Sequence, residues 1–166
     1  MKLASKIAFI GLLLGVSVTS CHKKECSEVV PEMEFLSFKP SQVDSGYFIL
    51  TFSFKDCDGD VGKDAGQSIM DENGEIQKSN FMIDLYHVVN NQWVKHEFNQ
   101  DDAGLDDNIP VLNNGATNPI LDGEVDKRLH KDFALLGYDS VKFVSKILDN
   151  QGHYSNEVET PGFVIQ

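Results

Sequence analysis

The sequence predicts an all-β fold, a sandwich of two antiparallel sheets, and three observations support this prediction. Residues 46–56 alternate large apolar and smaller side chains with a period of two residues, as a half-buried strand does. Further strand-like runs follow at short intervals, separated by the Asn, Asp and Gly residues that favour turns. No window of helical length sustains a period of 3.6 residues. Six to eight short strands at this spacing are typical of a two-sheet sandwich.

The first two strand-forming regions have the clearest patterns. In GYFILTFSFKD, residues 46–56, one face carries the predicted core side chains Phe48, Leu50, Phe52 and Phe54. The second region, residues 80–98, is divided by Asn90-Asn91, and asparagine tolerates the positive φ that tight hairpin turns require. We therefore predict a hairpin that joins residues 80–89 to residues 92–98.

The remaining regions predict shorter elements. NPILDGEVD, residues 118–126, is typical of a short strand broken by a bulge or turn at Asp122-Gly123. Residues 126–136 have room for one or two helical turns. Residues 139–166 predict a strand, a turn at residues 150–152 and a final strand. Residues 99–119 predict a long loop whose acidic side chains are solvated: Asp101, Asp102, Asp106 and Asp107.

Composition and charge limit the classes of function. The chain has 166 residues, of which 41% are hydrophobic, so one globular domain is expected. Its 26 Asp and Glu residues outnumber its 14 Lys and Arg residues, giving a net charge of −12. That charge argues against a nucleic-acid partner, whose phosphates would repel the protein, and against docking of the folded surface to anionic lipid.

The first twenty residues have the profile of a signal peptide. Two lysines precede an uncharged apolar run at residues 7–18, which is too short to span a bilayer as a helix. The sequence VTSC, residues 18–21, resembles the lipobox of bacterial lipoproteins. This resemblance implies that Cys21 becomes the mature N-terminus and carries acyl chains such as palmitate, two or more of which anchor a protein stably. An ordinary secretory signal cleaved near Ser20 is the alternative.

The rest of the chain divides into a tether and a domain. Residues 21–32 mix charges, lack apolar periodicity and contain Pro31, so they predict a flexible tether between lipid and fold. The folded domain is expected at residues 33–166. Loss of residues 1–20 removes two lysines and no acid, which lowers the net charge to −14.

The stretch KDCDGDVGKDAG, residues 55–66, has two interpretations. Asp56, Asp58 and Asp60 have the alternating spacing with which a curled loop aims carboxylates at one calcium ion. An EF-hand is excluded, because Val61 and Gln67 stand where that motif needs glycine and glutamate. In the other interpretation the aspartates and glycines only form a tight turn. Both interpretations stay open from the sequence.

Cysteine and histidine residues suggest two further sites. With Cys21 lipidated, Cys26 and Cys57 remain as an even pair in an oxidising compartment, so they form a disulfide or stay as two thiols. The predicted hairpin puts His87 and His96 diagonally on one face, yet zinc needs at least a third ligand and none is evident. Histidines at the edge of the core are therefore expected. The opposite face carries Tyr86, Val88 and Trp93, either as an aromatic platform or as core between sheets.

No enzyme motif is present, and the prediction is that the protein is not an enzyme. The chain has no G-x-S-x-G, no H-E-x-x-H and no glycine-rich phosphate loop. The predicted function is a non-enzymatic binding or scaffold module that presents loops to a glycan, a peptide or an envelope protein. The alternative is a glycan-active hydrolase, or an accessory domain of one, that uses aspartates of residues 56–64 and 99–107.

The last strand pair carries a resemblance. In DSVKFVSKILDNQGHYSNEVET, residues 139–160, an alternating strand ends in D-x-x-G, followed by S-N and a threonine. This run is similar to the closing strands of immunoglobulin-like and fibronectin type III-like domains. Together with the lipobox and FKDCDGDVG, it makes the chain resemble small single-domain lipoproteins of Gram-negative gut anaerobes. The resemblance implies an immunoglobulin-like sandwich and an outer-membrane location. His22, Lys23 and Lys24 follow the lipid site instead of an acidic run, which favours the periplasmic face over the cell surface.

Overall fold

The computed structural model describes residue 26 and residues 29–99, 104–112, 120–131 and 137–165. The elements of these residues are all strands, so the all-β prediction is confirmed. They are β1 (Glu32–Pro40), β2 (Tyr47–Asp56), β3 (Ile69–Met70), β4 (Ile76–Gln77), β5 (Phe81–Val89), β6 (Gln92–Lys95), β7 (Leu121–His130), β8 (Ser140–Ile147), β9 (Val158–Glu159) and β10 (Phe163–Val164). Within the described part of the chain, no helix is long and apolar enough to cross a membrane.

The strands form three antiparallel sheets. One sheet has the order β1-β2-β7, a second has the order β10-β8-β5-β6 with β9 also paired to β8, and β3 pairs with β4. The two larger sheets contribute side chains to one hydrophobic core. Aromatic rings join them directly: Phe52 lies 5.9 Å from Phe81, and Phe38 lies 5.4 Å from Phe143, between ring centroids.

Strand β2 is the centre of its sheet, and its face is the one that the alternation predicts. Phe48, Leu50, Phe52 and Phe54 are all buried. The strand pairs with β1 on one side and with β7 on the other, so its backbone groups are bonded along both edges. Glu32, the first residue of β1, is opposite Lys55.

The hairpin of β5 and β6 is also confirmed. Asn90 and Asn91 have φ values of 50° and 61°, the left-handed conformation that a two-residue hairpin turn needs. His87 is opposite Val94, as the turn position requires. Strand β6 ends at Lys95, three residues earlier than predicted, although Phe98 still packs against the core.

Strand β7 corrects two predictions. Asp122-Gly123 does not break the strand, because β7 pairs with β2 residue by residue from Leu121 to His130. At Gly123, a Cβ atom would be 3.7 Å from the Phe54 ring, an ordinary van der Waals contact, so this position of the strand does not require glycine. The helical turns proposed within residues 126–136 are wrong for residues 126–130, which are strand, and residues 132–136 lie outside the described residues.

The acidic loop is more packed than predicted. Leu105 and Ile109 are buried in the core, and the side chain of Asn80 bonds the backbone N–H and C=O of Ile109. Asp107 exchanges two backbone hydrogen bonds with Phe81. Asp106 and Asp107 are exposed, as predicted for the acidic side chains, whereas the buried Leu105 and Ile109 fix the loop against β5. Asp101 and Asp102 lie outside the described residues.

Candidate metal centre

The aspartate loop begins where β2 ends. Asp56 is the last residue of that strand, and its Oδ2 accepts a hydrogen bond of 2.8 Å from the backbone N–H of Val61, which closes the loop on itself. Gly59 and Gly62 have φ values of 73° and 124°, a conformation that glycine adopts without strain. At Gly62 a Cβ atom would also lie 2.7 Å from the carbonyl oxygen of Pro110. The loop is thus curled as well as short.

Three carboxylates converge inside this curl. Asp56, Asp58 and Asp60 each offer a carboxylate oxygen, and these oxygens all lie within 4.8 Å of one another. Asp56 is fully buried, and the Oδ1 atoms of all three side chains are buried without a hydrogen-bond partner. Buried polar atoms are normally bonded, so three unsatisfied oxygens in one place need an explanation. Carboxylates at this separation fit a hard cation such as calcium, which binds oxygen at about 2.3–2.6 Å.

The charges of the cluster oppose one another. Burial, opposed by the hydrogen bond from the Val61 N–H and reinforced by the neighbouring Asp58, raises the pKa of Asp56 to about 6. The pKa of Asp60 is likewise raised to about 6. Burial is the largest cause, and the charges of Asp149 and Asp58 are the next largest. Repulsion among carboxylates becomes attraction when a divalent cation lies between them.

A second loop, which the sequence did not link to this site, packs against the first. Gln151 donates from Nε2 to Oδ2 of Asp58 at 2.7 Å, and Asn150 donates from Nδ2 to the carbonyl oxygen of Gly62 at 2.6 Å. Asp149 is fully buried, and its Oδ1 accepts the N–H groups of Gln151 and His153. The D-x-x-G signature at residues 149–152 was visible in the sequence, but only tertiary contacts reveal its partner.

A disulfide joins the tether to the aspartate loop. The Cα atoms of Cys26 and Cys57 are 5.3 Å apart, within the usual range for a disulfide, and the bond connects residues separated by 31 positions. Cys57 stands between Asp56 and Asp58 in the sequence. The covalent link therefore restrains the same segment that carries the three carboxylates.

The histidines lie where a core edge would put them. The His87 ring stacks on Tyr138 at 3.9 Å, and Nδ1 of His96 is 3.0 Å from the Tyr138 hydroxyl. Within the described ranges, the three aspartates are the one group of three or more His, Cys, Asp or Glu side chains spaced to hold a metal ion.

The opposite face of the hairpin is open to solvent. Trp93 is 39% exposed, and Nζ of Lys142 lies 5.2 Å and 5.4 Å from the ring centroids of Tyr86 and Trp93. Lys142 also pairs with Glu159 at 2.6 Å. Core between sheets is therefore the wrong account of this face, which exposes Trp93 to solvent.

The aspartates of the acidic loop have structural partners. Oδ1 of Asp106 accepts the backbone N–H of Ile83 at 2.9 Å. Oδ2 of Asp107 bonds Nζ of Lys127 at 2.8 Å, and its Oδ1 accepts the N–H of Asn108. These contacts hold the loop on the sheets.

The raised pKa values predict how the metal-free protein responds to acid. A carboxyl whose pKa is about 6 in the folded state and near 3.8 otherwise takes up its proton more readily when folded. In the presence of a chelator, stability should therefore increase as the pH falls through about 6 and level off near 4.

We expect the urea midpoint of the wild type, relative to Asp60→Asn, to rise between pH 7.5 and pH 5 in chelator. Asp64→Asn is the control, because Asp64 is an exposed side chain outside the cluster. A wild-type midpoint that falls in parallel with that of Asp60→Asn would contradict the raised pKa.

Comparisons with known proteins do not assign the chain to a family. No family model, no curated protein and no solved structure matches this chain. Cys21, the predicted lipid site, lies outside the described residues. The resemblance to immunoglobulin-like lipoproteins therefore stays a prediction.

Proposed function

We propose that this protein is a non-enzymatic binding or scaffold module of the bacterial cell envelope, anchored by lipid on Cys21 and stabilised by calcium at Asp56, Asp58 and Asp60. The observation that carries the proposal is the set of three buried, unpartnered Oδ1 atoms in one loop. A cation would satisfy all three together, whereas a turn alone leaves them without partners.

Calcium is the cation that suits this site. All the available ligand atoms are oxygens, and an irregular loop tolerates the variable geometry of calcium better than the strict octahedron of magnesium. Extracellular calcium modules bind at about 10⁻⁴–10⁻³ M, so a weak site is useful only outside the cytoplasm. The disulfide beside the loop is consistent with such an oxidising compartment.

We infer an immunoglobulin-like sandwich as the arrangement of the domain. Two antiparallel sheets share one core, and their aromatic rings meet across it, which supports face-to-face packing. The periplasmic face of the outer membrane is the proposed location, on the basis of the basic residues after Cys21.

A binding role needs an exposed surface, and one is available. Tyr86 and Trp93 lie on the solvent side of the second sheet, beside Val88. Aromatic rings with a cationic group above them suit a sugar ring or an extended peptide. We therefore propose this face for contact with a glycan, a peptide or an envelope protein.

Calcium is expected to raise the melting temperature of the wild type. An ion that binds only the folded loop adds RT ln(1 + [Ca]/Kd), which is about 1.4 kcal/mol at ten times Kd. This corresponds to roughly 4–7 °C in a domain of this size. Asp58→Asn should remove most of the shift, because it deletes an anionic ligand, and it should slightly stabilise the protein in chelator by relieving repulsion.

Thermal melts in chelator and in millimolar calcium measure both effects. Asp64→Asn is the matched control, since it makes the same charge change in an exposed position of the same loop. Identical wild-type curves in the two buffers would leave the three aspartates as turn residues only.

Cys21→Ala is expected to release the protein from the membrane fraction. The tether has no other hydrophobic segment, and an acidic domain has no electrostatic attraction to anionic lipid. Fractionation of cells that express the full chain measures the loss. Ser20→Ala is the control, because it keeps a small residue before the cysteine. Retention of Cys21→Ala in the detergent-extracted membrane would refute the lipid anchor.

A further inference from the structure

The disulfide and the proposed calcium loop lie at one end of the domain. Glu32 of β1 pairs with Lys55 of β2, so β1 starts beside the loop that β2 leads into. On the other sheet, the turn at residues 149–152 lies at this same end, because Val61 pairs with Asp149. We call this set, residues 56–67 with the turn at 149–152, the anchor end.

The opposite end carries different loops. Residues 41–46 connect β1 to β2 there, and Val43 in that loop is 97% exposed. The Asn90-Asn91 turn is also distant, because β5 starts at the anchor end, where Phe81 pairs with Ile147. Strand β2 has ten residues, which separates the two ends by about 33 Å. We call residues 41–46 with Asn90-Asn91 the distal end.

The disulfide shortens the reach of the tether. Without it, the first residue paired into a sheet is Glu32 of β1, opposite Lys55, and Met33 follows with its backbone N–H and C=O both bonded to the side chain of Asn156. Glu32 is eleven positions after Cys21, and a fully extended chain of that length spans about 36–40 Å. With the disulfide, the fixed Cys26 is only five positions after Cys21, and this stretch spans at most about 18 Å.

We propose that the anchor end faces the membrane that holds the lipid and that the disulfide keeps it there. The 5.3 Å between the Cα atoms of Cys26 and Cys57 leaves the aspartate loop within about 23 Å of Cys21. Because the short link joins the anchor end, and the two ends are about 33 Å apart along β2, the distal end lies farther from the bilayer. This inference rests on the lipid anchor of the proposed function. The partner proposed for the anchor end is the lipid bilayer.

Energy transfer from a single tryptophan to a headgroup-labelled dansyl lipid tests the orientation. Trp93 is the one tryptophan of the chain, so Trp93→Phe gives a protein without a tryptophan donor. In that background, Ala65→Trp puts the donor in an exposed turn of the anchor end, and Val43→Trp puts it at the distal end. Gln67 in the same turn as Ala65 bonds Asn150, which fixes that turn to the anchor end.

The lipidated full chain is reconstituted in phosphatidylethanolamine–phosphatidylglycerol vesicles. Transfer from position 65 should exceed that from position 43 severalfold. Insertion of about twelve Gly-Ser residues between Lys24 and Glu25 keeps the disulfide and fold but lengthens the link, so it should reduce transfer from position 65. Cys26→Ser with Cys57→Ser should reduce it in the same direction.

The outcomes separate this inference from the proposed function. Failure of the wild type to sediment with the vesicles would overturn the lipid anchor and the orientation together. Sedimentation with equal transfer from the two positions would overturn the orientation alone. Higher transfer from position 65 that the inserted linker leaves unchanged would also overturn the inference, because a contact other than the short link would then hold that end.

Discussion

Replacement of both disulfide cysteines, Cys26→Ser with Cys57→Ser, is expected to lower the free energy of unfolding by about 3–4 kcal/mol. The disulfide closes a segment of 31 residues, and its loss restores the conformational freedom of that segment to the unfolded chain. For a domain of this size, the melting temperature should fall by roughly 10–15 °C. The loss is a large part of the total stability of a typical domain.

Urea denaturation in chelator measures this effect apart from any contribution of calcium. Cys26→Ser alone should match the double variant, since either change removes the bond. Wild type under reducing conditions should also match it, which separates the role of the bond from that of the serine side chains. An unchanged urea midpoint in the double variant would show that the bond does not constrain the unfolded chain.

Gly152→Ala is expected to lower the free energy of unfolding by roughly 2–5 kcal/mol, for two reasons that a control variant can separate. Gly152 has a φ of +92°, which a residue with a Cβ atom adopts only with strain. That Cβ atom would also lie 2.4 Å from the carbonyl oxygen of Met70, which belongs to backbone and cannot rotate away. The carbonyl of Gly152 in turn accepts the N–H of Glu72 at 3.0 Å, so both segments would shift.

Gly74→Ala is the matched control for this prediction. Gly74 has a similar φ of +83°, yet a Cβ atom there would have no heavy atom within 4 Å. Gly74→Ala should lower the free energy of unfolding by only about 1–2 kcal/mol, because only the strain of the left-handed conformation opposes it. Equal losses in the two variants, measured by urea denaturation, would mean that the close approach to Met70 relaxes freely.

Local patterns predicted those parts of the fold that depend on local physics. The alternation of Phe48, Leu50, Phe52 and Phe54 decides which face of β2 is buried, because side chains alternate across any strand. Asn90-Asn91 decides the position of the hairpin, because few residues accept positive φ. Both features arise from neighbours in sequence, so sequence is sufficient for them.

The misjudged parts depend on distant partners. Asp122-Gly123 has the composition of a turn, but continuous pairing with β2 outweighs that preference. Leu105 and Ile109 look like isolated apolar residues in an acidic loop, and their burial depends on a cleft that other strands form. The final strand divides into β9 and β10, and its central Thr160 bonds backbone N–H of Phe143 through its hydroxyl.

Half of the candidate metal centre was predictable. The spacing of Asp56, Asp58 and Asp60 points to a shared ion, because curling brings alternate side chains of a short loop together. The contact of Gln151 with Asp58 joins residues 93 positions apart, and no local pattern encodes it. The approach of Cys26 to Cys57 is of the same kind, since sequence gives the candidates for a pair but not their distance.

The position of Cys57 between two proposed calcium ligands makes metal binding and thiol oxidation parts of one thermodynamic cycle. If the closed bond raises the affinity for calcium by some factor, calcium must favour closure of the bond by the same factor. The protein would then resist reduction better where calcium is plentiful, and it would hold calcium less tightly once reduced. A single short segment would in this way respond to both the calcium concentration and the redox state of its surroundings.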